Sequence, residues 1–139
     1  MNVKTEHLEL STKAGCTIYD ITDEVAKAVE RTDIKDGMVL VFVPGSTAAI
    51  TTIEYESGAL HDLEAAIERL FPQDIEYRHN LRWKDDNGHS HVRAAMVGPS
   101  LTIPLVTGKL VLGTWQQVVF VELDVRPRER RIVVQVMGE

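Results

Sequence analysis

At 139 residues, 44% hydrophobic and 26% charged, the chain has the size and make-up of one globular domain that can bury a core without covalent staples. Its formal net charge of −6, from 15 basic and 21 acidic residues, excludes the basic face that a nucleic acid or an anionic membrane requires in a partner. Cys16 is the sole cysteine, which excludes an intrachain disulfide and a cysteine-cluster zinc site.

In chain order, Met1 to Leu10 lacks a basic start followed by a long apolar region, so it does not read as a secretory signal. No apolar stretch reaches the ~20 residues of a membrane span, and the cytoplasm is the expected compartment. Val3 to Leu10 alternates as a strand does. Ser11 to Gly15 forms a turn and Cys16 to Tyr19 a second strand, which predicts a hairpin with Cys16 as a small buried residue. Asp20 then caps a helix whose apolar face is Ile21, Val25, Ala28 and Val29. Asp36-Gly37 marks a turn. The unbroken apolar run Met38 to Val43 predicts a strand covered on both faces. After Pro44-Gly45, Ala48 to Ile53 is the next strand. Ser57 caps a second helix with core face Leu60, Leu63, Ala66, Ile67 and Leu70, and Pro72 stops it. His61, beside that face, reads as a partly solvated helix histidine.

From Gln73 to Gly88 the sequence turns polar. A loop this long is functional or disordered, and Tyr77, His79 and Trp83 favour function. The remainder reads as strands: Ser90 to Val97, Leu101 to Val106, Lys109 to Leu112, Gln117 to Asp124 and Arg131 to Met137, with a hairpin turn at Thr107-Gly108. This order predicts an α+β fold: a single domain over 1–139 with a large mixed β-sheet, sandwich-like, and two main helices.

The polar segment holds the first candidate site. His89 and His91, two apart on a strand, would share one face with Cα atoms roughly 6.5–7 Å apart. They could then meet one ion at about 2.0–2.1 Å, with His79 as third ligand and an open fourth position, the layout of a catalytic zinc. Asp85, Asp86 and Asn87 would orient the imidazoles. Three surface histidines that only form hydrogen bonds fit the same spacing. A second candidate is Gly45-Ser46-Thr47 with Glu54 and Glu56, an anion-receiving nest or a plain turn. A third is Gly113-Thr114-Trp115-Gln116 with Glu122, a pocket wall or a core tryptophan. Arg126, Arg128, Arg130 and Arg131 suit a phosphate, an acid across a subunit interface, or water.

Tyr77-Arg78-His79, His89-Ser90-His91, Gly98-Pro99-Ser100-Leu101-Thr102-Ile103-Pro104, Leu112-Gly113-Thr114-Trp115-Gln116, Glu122 and the closing Gly138-Glu139 together resemble the YjbQ-like family. Many of its members go by the name of secondary thiamine-phosphate synthase. The resemblance runs from about Val41 to the C-terminus. It implies a homotrimer, a divalent metal ion (zinc first) on His79, His89 and His91, and one site region holding Thr47, Glu54, Trp115, Gln116 and Glu122. There the expected catalytic groups are Glu54, Thr47, Gln116 and Glu122. Ser46, Trp115, Arg128 and Arg130 are expected to bind a small-molecule substrate. The chain departs from the family at Gly45, where many members carry histidine, and at Ile53. Some members replace the residue matching His89, so His79 and His91 rank first as ligands.

Three functions follow as expectations. One is transfer joining a thiazole phosphate to a pyrimidine pyrophosphate, with the leaving group clamped by metal and Arg128 or Arg130. A second is metal-assisted hydrolysis of a small phosphorylated or acylated metabolite, with Glu54 or Glu122 as general base. The third is a non-catalytic trimeric module that binds metal or metabolite. Histidine ligation suits zinc, whereas pyrophosphate clamps favour magnesium on carboxylates.

Overall fold

The computed structural model describes residues 1–139. Its β-branched segments pair into two antiparallel sheets. The larger sheet runs in the order β1 (Asn2–Thr12), β8 (Arg128–Gly138), β3 (Gly37–Phe42), β5 (Ser100–Val106) and β6 (Lys109–Leu110). The smaller sheet is β2 (Thr17–Asp20), β7 (Gln117–Glu122) and β4 (Ala48–Ile53). Four helices complete an α+β domain: α1 (Thr22–Arg31), α2 (Ser57–Leu70), α3 (Arg78–Trp83) and α4 (Gly88–Val97).

The larger sheet's inner face supplies Val39, Val41, Ile103, Leu105, Ile132, Val134 and Val136 to the main core. Val25, Ala28 and Val29 of α1 join them, as do Ala48, Ile50, Val118 and Phe120 of the smaller sheet. The opposite face of the smaller sheet packs Ala49, Val119 and Val121 against Ala94 of α4. The smaller sheet is therefore the middle layer, and β7 is buried on both faces. That place was expected of Met38 to Val43. Instead β3 alternates, with Val39 and Val41 inside and Met38 48% exposed, because nothing in the chain covers the larger sheet's outer face.

Three further expectations are corrected by tertiary pairing. β1 and β2 form no hairpin: Asn2 to Thr12 pairs along Gly138 to Arg128, and β2 pairs with β7. The turn between them carries the chain from one sheet to the other, and Gly15 N–H is held by Asp124 O at 2.9 Å. The cap of α2 is Glu56 rather than Ser57, its carboxylate accepting from Gly58 N at 2.6 Å and Ala59 N at 2.9 Å. Ser90 to Val97 is not a strand but most of α4, and Arg78 to Trp83 of the expected loop is also helical.

The cap position of α1 falls on Ile21, one residue after the expected Asp20, whose carboxylate accepts from Thr22 N at 3.0 Å and Thr22 Oγ1 at 2.7 Å from the preceding position. Other local signals meet their expected ends. Thr107 and Gly108, with φ of 51° and 77°, turn β5 into β6 as the primed turns do. Gly37 and Gly138 sit where two backbones touch: a Cβ on Gly138 would fall 1.9 Å from Asp36 O. Only glycine permits that approach.

Candidate functional site

Helix α4 decides which histidines meet. Arg93, Ala94, Ala95 and Met96 are good helix formers, and the buried positions His89, Ser90, Arg93 and Ala94 recur at helical spacing. Residues two apart on a helix lie about 200° apart around its axis. His89 and His91 therefore face opposite ways, and the convergence expected of them on a strand does not occur.

On one side, His91 packs against His79 from α3, with ring centroids 4.4 Å apart. His79 Nε2 lies 3.3 Å from Asp85 Oδ1. One end of the Asn87 carboxamide is 3.0 Å from His79 Nε2, and 3.0 and 3.2 Å from the two Asp85 oxygens. Turned one way, the amide nitrogen donates to all of them. Turned the other, its oxygen would face only acceptors, so the donating orientation is the one these contacts satisfy. Ligands on one ion at about 2.0–2.1 Å stand roughly 3.0–3.4 Å from each other, the spacing seen here. The donor chemistry (imidazole, carboxylate, amide) thus fits a divalent metal. No three His, Cys, Asp or Glu side chains gather around one point; Asn87 is the third group here, and His89 stands apart.

On the other side, His89 is 4% exposed, tilted against Tyr77 with centroids 6.3 Å apart. Its Nδ1 has no hydrogen-bond partner. Burial first, then the Arg93 guanidinium, lower its pKa, so the ring is neutral. It borders a cleft of about 430 Å³ with Cys16, Glu64, Glu68, Arg93 and Asp124 among the lining. Arg93 is buried, donates from Nε to Phe71 O at 2.9 Å and pairs with Glu68. Burial, then Glu64, pushes the Cys16 thiol up to about 11, so it is not a nucleophile at neutral pH.

Thr47, Glu122, Arg128 and Arg130 come together beside this cleft. Glu122 and Arg130 have side chains 0% and 4% exposed and meet at 2.6 and 2.8 Å. Thr12 Oγ1 at 2.6 Å and the backbone N–H groups of Leu123 and Asp124 at 3.1 and 3.0 Å take the remaining capacity of Glu122. Thr47 Oγ1 accepts from Arg130 at 3.0 Å and donates to Asp124 at 3.0 Å, and Arg128 reaches Asp124 at 3.3 Å. Burial raises the pKa of Glu122 and Asp124. Arg130 and Thr12 outweigh it at Glu122, and Val125 N–H, Thr47 and Arg128 at Asp124, so both end lowered. With their polar atoms occupied, Glu122 and Arg130 are a buried scaffold in this chain rather than a free base and a free anion receiver. Ser46, next to them, is exposed.

Glu54, Trp115 and Gln116 lie elsewhere. Ala48 pairs with Glu122 and Ile53 with Gln117, so the two groups occupy opposite ends of the smaller sheet, roughly 20 Å apart at a strand's rise per residue. Glu54, Tyr55 and Trp115 line a separate cleft of about 480 Å³, with Trp115 72% exposed. Gln116 donates to Thr52 Oγ1 at 3.1 Å and accepts from Gly113 N–H at 3.0 Å. The single site region expected of these residues is two regions within one chain. Asp124, Arg93, Glu64 and Glu68 were missed by sequence reasoning. Reading His89 and Arg93 as one helical face would have found Arg93; Asp124 carried no signal beyond being an acid closing a buried strand.

Comparison with known proteins adds the kinship of this arrangement. A family model described as "UPF0047 protein YjbQ-like" matches residues 6–139. A "UPF0047 protein" of Methanothermobacter thermautotrophicus is 42% identical over 139 residues, covering 100% of this chain and 95% of that one. One from Archaeoglobus fulgidus is 40% identical, covering 94% of this chain and 98% of that one. Among solved structures, a "YbjQ-like protein of unknown function" from Sulfolobus solfataricus superposes with a TM-score of 0.89 at 38% identity, over 99% of this chain and 100% of that one. A hypothetical protein from Aeropyrum pernix gives 0.91 at 34% identity, over 98% and 99%.

Proposed function

The chain belongs to the YjbQ-like UPF0047 family, and from that premise we propose that it is a metal-binding enzyme acting on a small phosphorylated metabolite. The ion, zinc first, would be held by His79, Asp85 and Asn87, with His91, whose ring packs on His79, turning in to complete the set when the ion binds. The observation that carries this reading is the convergence of His79 Nε2, Asp85 and the Asn87 carboxamide, 3.0–3.3 Å from one another, beside the His91 ring. When bound, such an ion supplies Lewis-acid stabilisation of phosphate charge and an acidified water.

The chain's own residues do the rest. The contact between the His79 and His91 rings orients both imidazoles. Arg128, half-buried beside Asp124, is the guanidinium placed to meet a phosphate, since Arg130 is committed to Glu122. The family resemblance puts thiamine-phosphate formation first among reactions, and metal-assisted hydrolysis of a phosphorylated metabolite second. Assembly as a homotrimer belongs to the same proposal. Its support is the uncovered outer face of the larger sheet, where Val3, Met137, Met38 and Pro104 are register partners in one row. No helix is long and apolar enough to cross a membrane, and the cytoplasm is the proposed compartment.

Elemental analysis of the purified protein tests the centre. Wild type should carry close to one divalent ion per chain, with His79→Ala and His91→Ala reduced to trace levels. A metal-free wild type, or metal content unchanged from wild type in both variants, overturns the proposal. Absence of thiamine phosphate at high enzyme concentration removes the transferase and leaves hydrolysis.

A further inference from the structure

We propose that the open cleft at the Glu54 end of the smaller sheet binds a small quaternary-ammonium cation against the indole of Trp115. The cleft holds about 480 Å³, within the range of small-molecule sites, roughly 300–1,000 Å³. Tryptophan is a largely buried residue in folded chains, yet Trp115 is 72% exposed, and Tyr55 in the same lining is exposed as well. A braced loop presents that indole. Gln116 donates from its backbone to Gly113 O at 3.0 Å and from its side chain to Thr52 Oγ1 at 3.1 Å. Gly113 N–H closes the loop on Gln116 Oε1 at 3.0 Å. The Tyr55 hydroxyl, in turn, donates to Ile18 O at 3.1 Å. Neither ring pairs with another aromatic ring or with a cation of the chain, whose one cation–π contact joins Arg82 to Trp83.

The charge around these rings selects the occupant. Asp20, Glu54 and Glu56 line the cleft, and no lysine, arginine or histidine does. Asp20 accepts from Thr22 and Gln117, and Glu56 from Ser57, Gly58 and Ala59. These donors are neutral and cancel no charge. Glu54 is exposed and enters none of the chain's ion pairs. A cation over an aromatic face is drawn to the ring's negative quadrupole, most strongly over tryptophan. The carboxylates add to that pull and repel a phosphate or carboxylate by the same field. Each oxygen of Asp20 and Glu56 already accepts a hydrogen bond, so these two supply field rather than acceptors. That arrangement favours a methylated ammonium, which needs no hydrogen bonds and has an apolar surface to lay on the indole, over a primary amine. The cleft shares no residue with the proposed metal ligands, and the inference stands independently of that reading.

Choline is the probe, with dimethylbutanol, its uncharged isostere carrying carbon in place of nitrogen, as the control. Each is titrated into the full chain at neutral pH and constant ionic strength, and NMR follows the indole N–H signals of the two tryptophans, assigned through Trp115→Phe. Choline should shift the Trp115 signal and leave that of Trp83 in place; dimethylbutanol should shift neither. The backbone amides of Glu54 and Gln117 then report affinity in the variants, and the rest of the amide spectrum confirms that they fold. Trp115→Ala should weaken choline about fivefold, Trp115→Phe less, and Glu54→Gln about threefold, the ordinary worth of one exposed cation–π contact and one screened charge. His79→Ala should bind choline as wild type does, which separates a failure here from a failure of the metal centre. No shift with choline, equal binding of dimethylbutanol, affinity unchanged in both Trp115→Ala and Glu54→Gln, or loss of binding in His79→Ala would each overturn the proposal.

Discussion

The two ends of the smaller sheet draw on similar side chains and put them to opposite use. At the Thr47 end, a carboxylate, an arginine and a threonine are sealed from water and consume one another's hydrogen bonds. At the Glu54 end, a carboxylate, a tryptophan and a glutamine remain largely exposed around an open cleft. The difference comes from their covering. Strands β1 and β8 bring Thr12 and Arg130 over the first end, whereas only short loops border the second. Residue type alone therefore does not mark a catalytic group; the number of lone pairs and protons left free does.

The largest break in that contrast should come from Glu122→Gln, which strands Arg130 as a buried, unpaired charge. Removing one partner of such a pair costs about 3–5 kcal/mol, read as a fall in the urea midpoint. A loss within about 0.5 kcal/mol would mean that water reaches the pair. Acid should act next. Glu122 and Asp124 are held below their ordinary values, so their contribution is full above the unfolded carboxylate pKa, about 4. It is lost as pH falls through the lowered folded values. His89 is also lowered. The unfolded chain takes its proton first, and stability begins to decline below about 6.5. Urea midpoints against pH should show both stages. His89→Gln should flatten the upper stage and Glu122→Gln the lower; a single stage unaffected by either variant would refute this account. The smallest effect belongs to the open end. Trp115→Ala should change stability by no more than about 0.5 kcal/mol, and a larger loss in the isolated chain would show that this end is structural after all.

Where a local rule met no tertiary competitor, the sequence was read correctly. Ala48 to Ile53 is a strand at the expected residues, Thr107-Gly108 makes the expected turn, and Val25, Ala28 and Val29 form the buried face of α1. The α2 face was legible only in part: Ile67 is buried, while Leu70 is exposed. The error at Ser90 to Val97 had a physical origin. A segment of that length with scattered apolar residues suits a strand or a helix, and the histidines at its start were paired by a strand's period of two. One wrong period moved His89 to the wrong side of the element.

By itself the sequence determined the family, the α+β class and the presence of a histidine-rich segment, because composition, local periodicity and turn chemistry act over a few residues. Only the tertiary structure decided that His79 meets His91 and Asn87 while His89 turns to a separate cleft. It alone placed Glu122 and Arg130 in a sealed pair roughly 20 Å from Trp115. These outcomes depend on which strands pair across more than a hundred residues, as Thr12 does with Arg128, and on which faces remain to be covered. Long-range pairing sets how much water each polar group keeps, and that decides whether it holds the fold together or stays free for chemistry.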